Sequence, residues 1–206
     1  MTTRNLLRRQ MRDRRRALTA DLRQQAAQSL VAVLTSQAVY HSARHIAAYV
    51  AVEGELDPML LLLRAHEDGK QLYLPVLQAK RDAPLGFFRY TPGIALQPNR
   101  LGIPEPPVSR GGCISPQSLD LVLTPLVAFD GNGHRLGMGG GFYDRSFAFL
   151  RTGAVKPMLL GLAYEFQRLE QLHEENWDVA LAGVATERRC YFFDSRETKP
   201  ACTTGS

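Results

Sequence analysis

Residues 119–149 read LDLVLTPLVAFDGNGHRLGMGGGFYDRSFAF. The opening run, 119–127, is apolar except for Asp120 and the Thr124-Pro125 pair. A run of that length and character predicts a strand buried on both faces. Asp130-Gly131-Asn132-Gly133 is a turn cluster. Arg135-Leu136-Gly137-Met138-Gly139-Gly140-Gly141 follows, and 142–150 then carries apolar residues at helical spacing. The order is strand, glycine loop, helix.

That order suits a phosphate site for physical reasons. Glycine lets backbone N–H groups approach an anion with no Cβ in the way. The first turn of a helix adds unpaired donors and a partial positive charge. Arg135 and Arg145 flank the loop and can add charge-assisted hydrogen bonds. Neither common nucleotide motif is present: there is no GxxxxGK[ST], and the glycines do not fit GxGxxG. On the glycines alone, a flexible surface turn stands beside the phosphate reading. Phe142 and Tyr143 read equally as core aromatics, and Asp144 as a helix-start acid favoured by the dipole.

The string from Phe129-Asp130 to Arg145 resembles the signature of the 5-formyltetrahydrofolate cyclo-ligase family. That pattern runs roughly G-[VL]-A-F-D-x-x-G-x-R-L-G-x-G-[GK]-G-[YF]-Y-D. The similarity extends from Arg4 to about Glu187 and is weakest at the two ends.

Working outward, 2–17 reads as a helix with Arg4, Arg8, Arg12, Arg15 and Arg16 recurring at helical spacing. On the residues alone this is a solvated surface helix, a phosphate-binding arm or a nucleic-acid patch. The family opens with a similar basic helix, [KR]-x-x-[LI]-R, and Arg4-Asn5-Leu6-Leu7-Arg8 fits it. Arg4 stands where the family more often has Lys, which keeps the charge and changes the donor geometry. A second helix starts at Leu18-Thr19-Ala20-Asp21 with Thr19 as N-cap and Leu22, Ala26, Leu30, Val33 and Leu34 as its buried stripe.

His45 to Val50 is expected to be a core strand, Asp57-Pro58 a helix start with Gly69 as its stop, and 71–76 the next strand. This is a βαβ unit. Ligands of open parallel sheets bind beyond the carboxyl ends of strands, where Glu53 and Glu55 lie. Read alone, Glu55 is also a plain loop acid. Further strands are expected at 85–90, 156–164, 178–181 and 188–193, with a short helix at 165–172 and loop over 111–118. Gly102-Ile103-Pro104-Glu105-Pro106 is extended and rigid, and resembles a family motif at the border of the substrate cleft.

The expected fold is α/β: one domain over 1–196, an open, mostly parallel, Rossmann-like sheet with helices on both faces and a basic N-terminal helix. A polar tail over 197–206 is expected to be disordered. No run approaches 18 apolar residues, so no membrane span is expected. The net charge is +5, and the first 25 residues, with eight arginines and two aspartates, carry +6 of it. Basicity is thus one local patch, which suggests a defined anionic ligand or nucleic acid. Cys113, Cys190 and Cys202 have no metal-ligand spacing and suit a reducing cytoplasm. His41, His45, His66, His134 and His173 show no triad or metal spacing.

The resemblance implies an enzyme, a C–N ligase. It would close 5-formyltetrahydrofolate to 5,10-methenyltetrahydrofolate with ATP and Mg²⁺, releasing ADP and phosphate. The formyl oxygen is phosphorylated, the neighbouring folate amine attacks the activated carbon, and phosphate leaves. It further implies Arg135 and Tyr143 as catalytic residues. ATP would be held by Arg4, Asn5, Leu6, Leu7, Arg8, Arg135, Leu136, Gly137, Met138, Gly139, Gly140, Gly141, Phe142 and Tyr143. The folate would lie against Val50, Glu55, Met138, Gly139, Gly140, Gly141 and Phe142, with the Glu55 carboxylate on the pterin. Asp144 would hold the metal. Relatives often place a second metal-binding Asp where Ala182 stands here, and Ala182 cannot bind metal. Either Asp144 and water suffice, or Asp178 or Glu187 substitutes. A cytoplasmic monomer acting on a reduced folate, away from membrane and nucleic acid, is expected. The alternatives are a non-catalytic relative that binds nucleic acid through the arginine helix, and an enzyme of similar architecture acting on another phosphorylated small molecule without ATP.

Overall fold

The computed structural model describes residues 3–80, 82–108, 112–173 and 175–193. The expected tail over 197–206 and Cys202 therefore lie outside the described residues. The chain opens with three helices, α1 (Thr3–Arg16), α2 (Ala20–Thr35) and α3 (Ala38–Ser42). There follow β1 (His45–Ala47), α4 (Met59–Glu67), β2 (Gln71–Val76) and β3 (Gly86–Tyr90). Short pieces come next: β4 (Gln97–Pro98), β5 (Pro104–Glu105) and β6 (Cys113–Ile114). Then come β7 (Leu121–Pro125), β8 (Ala128–Phe129), β9 (Arg135–Leu136) and α5 (Phe142–Ser146). The chain closes with β10 (Met158–Leu162), β11 (Gly183–Ala185) and β12 (Cys190–Phe192).

One eight-stranded sheet has the order β12-β11-β10-β7-β1-β2-β3-β6. Its centre, from β11 to β2, is parallel, and β12, β3 and β6 are added antiparallel. Both edges are short: β6 has two residues and β12 three. The strand side chains alternate between two cores, as a period of two demands. Ile46, Leu72, Leu74, Leu121, Leu123, Leu160 and Leu162 pack beneath α2, α3 and α4. Ala47, Tyr73, Val122, Leu159 and Val184 face the other way, toward Phe129, Phe147 and Leu181. This two-sided burial is why 121–125 carries so few polar residues.

Several sequence expectations change in detail. The 119–127 run does not feed straight into the glycine loop. A β8–β9 hairpin intervenes, because Asp130 accepts the N–H groups of Asn132 (2.9 Å) and His134 (3.1 Å) and turns the chain back. Its base is closed by Val127 N donating to the Leu136 carbonyl at 2.7 Å. The helix expected over 142–150 stops after Ser146, and a 3-10 turn, Ala148–Thr152, replaces its second half. The break at Phe147 (φ −116°, ψ 18°) lets that ring bury completely in the second core. A helix of five residues has little dipole, so anion binding at this loop rests on individual N–H groups and arginines.

The helix expected over 165–172 shrinks to a 3-10 turn, Glu165–Gln167. Gln167 Nε2 donates to the carbonyls of Leu126 and Val127, and Leu169 N donates to Phe129 O, which draws the chain out straight. No strand forms over 178–181, because its backbone groups pair with the Arg135 and Asp144 side chains and the Gly133 carbonyl. The expected strand 45–50 ends at Ala47, after which the chain peels off to line a cavity. The 111–118 loop contains β6 and a 3-10 turn, Pro116–Ser118, with Gly111 outside the described residues. Leu22 is 50% exposed and leaves the buried stripe of α2, while Ala26, Leu30 and Leu34 stay in it. The N-cap holds: Thr19 accepts from Leu22 N at 3.3 Å. Asp57 accepts from Met59 N at 2.9 Å and so starts α4, with Pro58 in the cap position.

Candidate active site

The carboxyl ends of β1 and β7, the glycine loop and one face of α1 enclose a cavity of about 660 Å³. That size suits a small-molecule site. Its floor is built from the α1 register. Arg4, Arg8, Met11 and Arg15 recur at i, i+4, i+7 and i+11 and so point the same way. Arg4 and Arg8 reach the cavity, Met11 packs on Leu136, and Arg15 is fully buried.

The phosphate-like end comes from Arg135, Arg8, Arg4 and the loop 137–141, all of which line the cavity. Arg135 is 8% exposed; its Nη1 donates to the Val179 carbonyl and its Nη2 to Asp144 Oδ1 at 2.5 Å. Asp144 Oδ1 also accepts from Val179 N at 3.2 Å. Burial holds the Arg135 guanidinium below its ordinary range, against the pull of Asp144 and Asp178. Arg8 Nε donates to the Gly137 carbonyl at 2.9 Å, and its Nη1 donates to Asn5 Oδ1 at 2.8 Å. Burial and the neighbouring Arg4 lower Arg8 as well. Arg4 lies 3.4 Å from both Glu175 Oε1 and Asp178 Oδ2. Gly141 has φ +62°, and a Cβ there would come within 2.8 Å of Arg145 Nη1, so a side chain at this position would displace the guanidinium. Among the described residues, Arg145 Nε has no hydrogen-bond partner.

The other end is set by Glu55, 6% exposed, which accepts from Val52 N at 3.1 Å and faces Arg15 Nη1 at 3.6 Å. Burial raises its carboxyl above the ordinary glutamate value, and the Val52 N–H and Arg15 oppose that rise. Arg15 also approaches the Leu126 carbonyl (3.4 Å) and Met138 Sδ (3.9 Å). Gly54 makes the approach possible: at φ +75°, a Cβ would lie 3.0 Å from the Arg15 carbonyl oxygen. Val50 lines this end with Tyr49. Tyr143 stands between the two ends, and burial, then Glu55, pushes its hydroxyl well above the usual tyrosine range. Phe142 and Tyr143 line the cavity and also pack on the second core, so both readings of these rings apply. Arg145 lies over the Phe142 ring at 5.1 Å.

The structure thus brings Arg4, Arg8, Val50, Glu55, Arg135, Gly137, Met138, Gly139, Gly140, Gly141, Phe142, Tyr143 and Asp144 to one cavity. It does not bring Asn5, Leu6, Leu7 or Leu136 to the wall. Leu136 and Leu7 pack with Met11 and Val127, Leu6 is 48% exposed, and Asn5 holds Arg8. Ala182 is also off the cavity wall, as is Glu187, which accepts from Glu165 N at 2.9 Å. Asp178 is on it. Ile103 and Glu105 border the mouth, where Glu105 accepts from Leu77 N (2.7 Å) and Asn99 Nδ2 (2.6 Å). His134 Nδ1 sits 2.9 Å from Asp130 Oδ2, which ties it to the hairpin. Cys113 is exposed, and burial pushes the Cys190 thiol up to about 11.

The donor set fits a polyphosphate with a hard cation. Three arginines and a glycine-rich backbone face one space, and the carboxylates Asp144 and Asp178 share it. Among the described residues no group of three His, Cys, Asp or Glu side chains clusters. Mg²⁺ asks for less: one or two carboxylates, with phosphate oxygens and water completing its shell. Sequence reasoning missed Arg15 as a buried residue; of the wall built by Glu175, Trp177 and Asp178 it named only Asp178, as a substitute metal ligand. The i+7 step from Arg8 to Arg15, on the side of Met11, was the available signal for the first. For the second it was the chain's one tryptophan, placed in a polar stretch.

The model of the 5-formyltetrahydrofolate cyclo-ligase family matches residues 1–187. The 5-formyltetrahydrofolate cyclo-ligase of Escherichia coli is 37% identical over 181 residues, covering 88% of this chain and 98% of that one. Its namesake from Haemophilus influenzae is 38% identical, with 88% and 96% covered. The solved 5,10-methenyltetrahydrofolate synthetase of Aquifex aeolicus superposes with a TM-score of 0.80 at 27% identity, over 99% of this chain and 100% of that one. With its signature string folded into the wall of a cavity, and with relatives matched along nearly their whole length, this chain belongs to the 5-formyltetrahydrofolate cyclo-ligase family.

Proposed function

We propose that the chain closes 5-formyltetrahydrofolate to 5,10-methenyltetrahydrofolate at the expense of ATP, with Mg²⁺, as a cytoplasmic monomer. The observation that carries this reading is one cavity with two unlike ends. One end is a dehydrated carboxylate, Glu55, and the other is a cluster of three arginines over a glycine loop. A carboxylate matches the paired N–H donors of an amino-pyrimidine edge, and the arginine cluster matches a triphosphate.

Bound ATP would supply the phosphoryl group that makes the formyl oxygen a leaving group, while Mg²⁺ neutralises phosphate charge. The protein's own task is placement and charge compensation. Arg135 is held by Asp144 and the Val179 carbonyl, so its charge is fixed beside the loop before any ligand arrives. Arg8 is fixed in turn by the Gly137 carbonyl. Asp144 and Asp178 are the carboxylates offered to the metal, and Asp178 takes the part that Ala182 cannot play. Glu55 orients the pterin. Tyr143, neutral at physiological pH, is a ring and hydroxyl between the two sites. Arg4, Arg8 and Arg15 point inward, which disfavours a nucleic-acid role for the helix.

The test is one spectrophotometric assay. Protein, 5-formyltetrahydrofolate, Mg²⁺ and ATP are mixed, and the near-ultraviolet band of the methenyl product is followed. Omitting ATP should abolish the signal, and Arg8→Ala should raise the KM for ATP about tenfold, the scale of one charge-assisted hydrogen bond. Turnover without ATP, or no turnover with it, would sink the reading.

A further inference from the structure

We propose that Trp177 is the platform on which the nucleotide's purine base stacks. The inference rests on the reading of the cavity as an ATP site and adds a base subsite to it.

Trp177 lines the cavity, yet its side chain is 60% exposed and belongs to none of the three apolar clusters. A large aromatic face left open on a cavity wall is a binding surface in search of a flat partner. Its backbone is tightly held. The turn beneath it closes with Asp178 N donating to Glu175 O at 2.9 Å and Glu175 N donating to Asp178 Oδ2 at 3.1 Å. Arg4 bridges Glu175 and Asp178 from α1, and Arg151 Nη1 donates to the Asn176 carbonyl at 3.3 Å. Just beyond, Val179 is bound through its N–H to Asp144 and through its carbonyl to Arg135. The backbone that carries the indole is therefore anchored beside the glycine loop, so stacking has only the side-chain rotamer left to order.

The same contacts say which ring belongs there. Trp177 is one residue from Asp178, the partner of Arg4, and so it borders the arginine end. The pterin has its own carboxylate at the Glu55 end. The ring that must lie beside the arginines is the one covalently joined to the phosphates. Stacking on an aromatic side chain is worth roughly 1–3 kcal/mol per base and tolerates any base.

Because the chain has a single tryptophan, its fluorescence reports this position alone. ATP or ADP with Mg²⁺ should quench it saturably, while inorganic triphosphate should bind with little quenching. By calorimetry, Trp177→Ala should weaken ATP binding about tenfold and leave triphosphate binding unchanged, and Trp177→Phe should restore most of the loss. An unchanged thermal midpoint will show that the variants fold. Should ATP bind Trp177→Ala as it binds the wild type, and leave the wild-type fluorescence unchanged, the base lies elsewhere and only the role of Trp177 falls. If ATP does not bind the wild type at all, the subsite and the ATP reading beneath it fall together.

Discussion

The two ends of α1 hold their arginines in opposite ways. Arg15 is fully buried and faces a carboxylate, Glu55, that is almost as buried. Arg4, eleven residues earlier, keeps 26% of its side chain exposed and shares two acids whose side chains are 43% and 18% exposed, Glu175 and Asp178. The first pair is part of the frame. Both charges have left water, so each needs the other. The second is a holding arrangement, because solvent-screened pairs contribute little and exchange partners cheaply. A site that must admit a large anion is served by the second kind. A site that must present one carboxylate in one place is served by the first.

The sharpest way to break this contrast is Arg15→Ala. It leaves Glu55 buried without its counter-charge and is expected to cost about 3–5 kcal/mol in urea unfolding at neutral pH. The pH dependence has a definite sign. Burial lifts the folded Glu55 above its unfolded value, so its contribution is full below the ordinary glutamate pKa. It fades as pH rises through the raised folded value. Arg15 limits that loss, so the variant's deficit should grow from acid to neutral pH. A flat deficit would mean that packing, not charge, is what Arg15 provides.

Glu55→Gln ranks next. It keeps the shape and removes the charge, and it should weaken folate binding about tenfold to a hundredfold, the range for a hydrogen bond to a charged group. Nucleotide affinity measured by calorimetry should not move. Equal losses for both ligands would erase the distinction between the ends. The smallest effect is expected at Arg4→Ala: a stability change within about 0.5 kcal/mol by thermal melting. Its ATP affinity should drop a few-fold, by a margin that shrinks as salt rises.

Much of this was legible in the sequence, though unevenly. β2 was readable to its ends, because 71–76 is bounded by a helix stop and a polar stretch. The parallel core was readable for the same reason: two apolar faces leave few other options. The glycine string marked the cavity wall, and the arginine spacing marked α1. What stayed hidden depended on long-range hydrogen bonds. Residues 178–181 look like a strand, but their N–H and C=O groups go to Asp144, Arg135 and Gly133, a choice invisible to local pattern. Gln167 similarly spends its amide on Leu126 and Val127 and straightens a segment that reads as helix. Burial of Arg15 needed knowledge that Gly54 would leave room for its backbone.

The large sheet ends in stubs, two residues of β6 on one side and three of β12 on the other. An intruding strand would find only a few free N–H and C=O groups on either margin. The parallel interior, rich in leucine and valine, is thereby screened from fibril-like stacking, and concentrated solutions of the folded protein should stay clear.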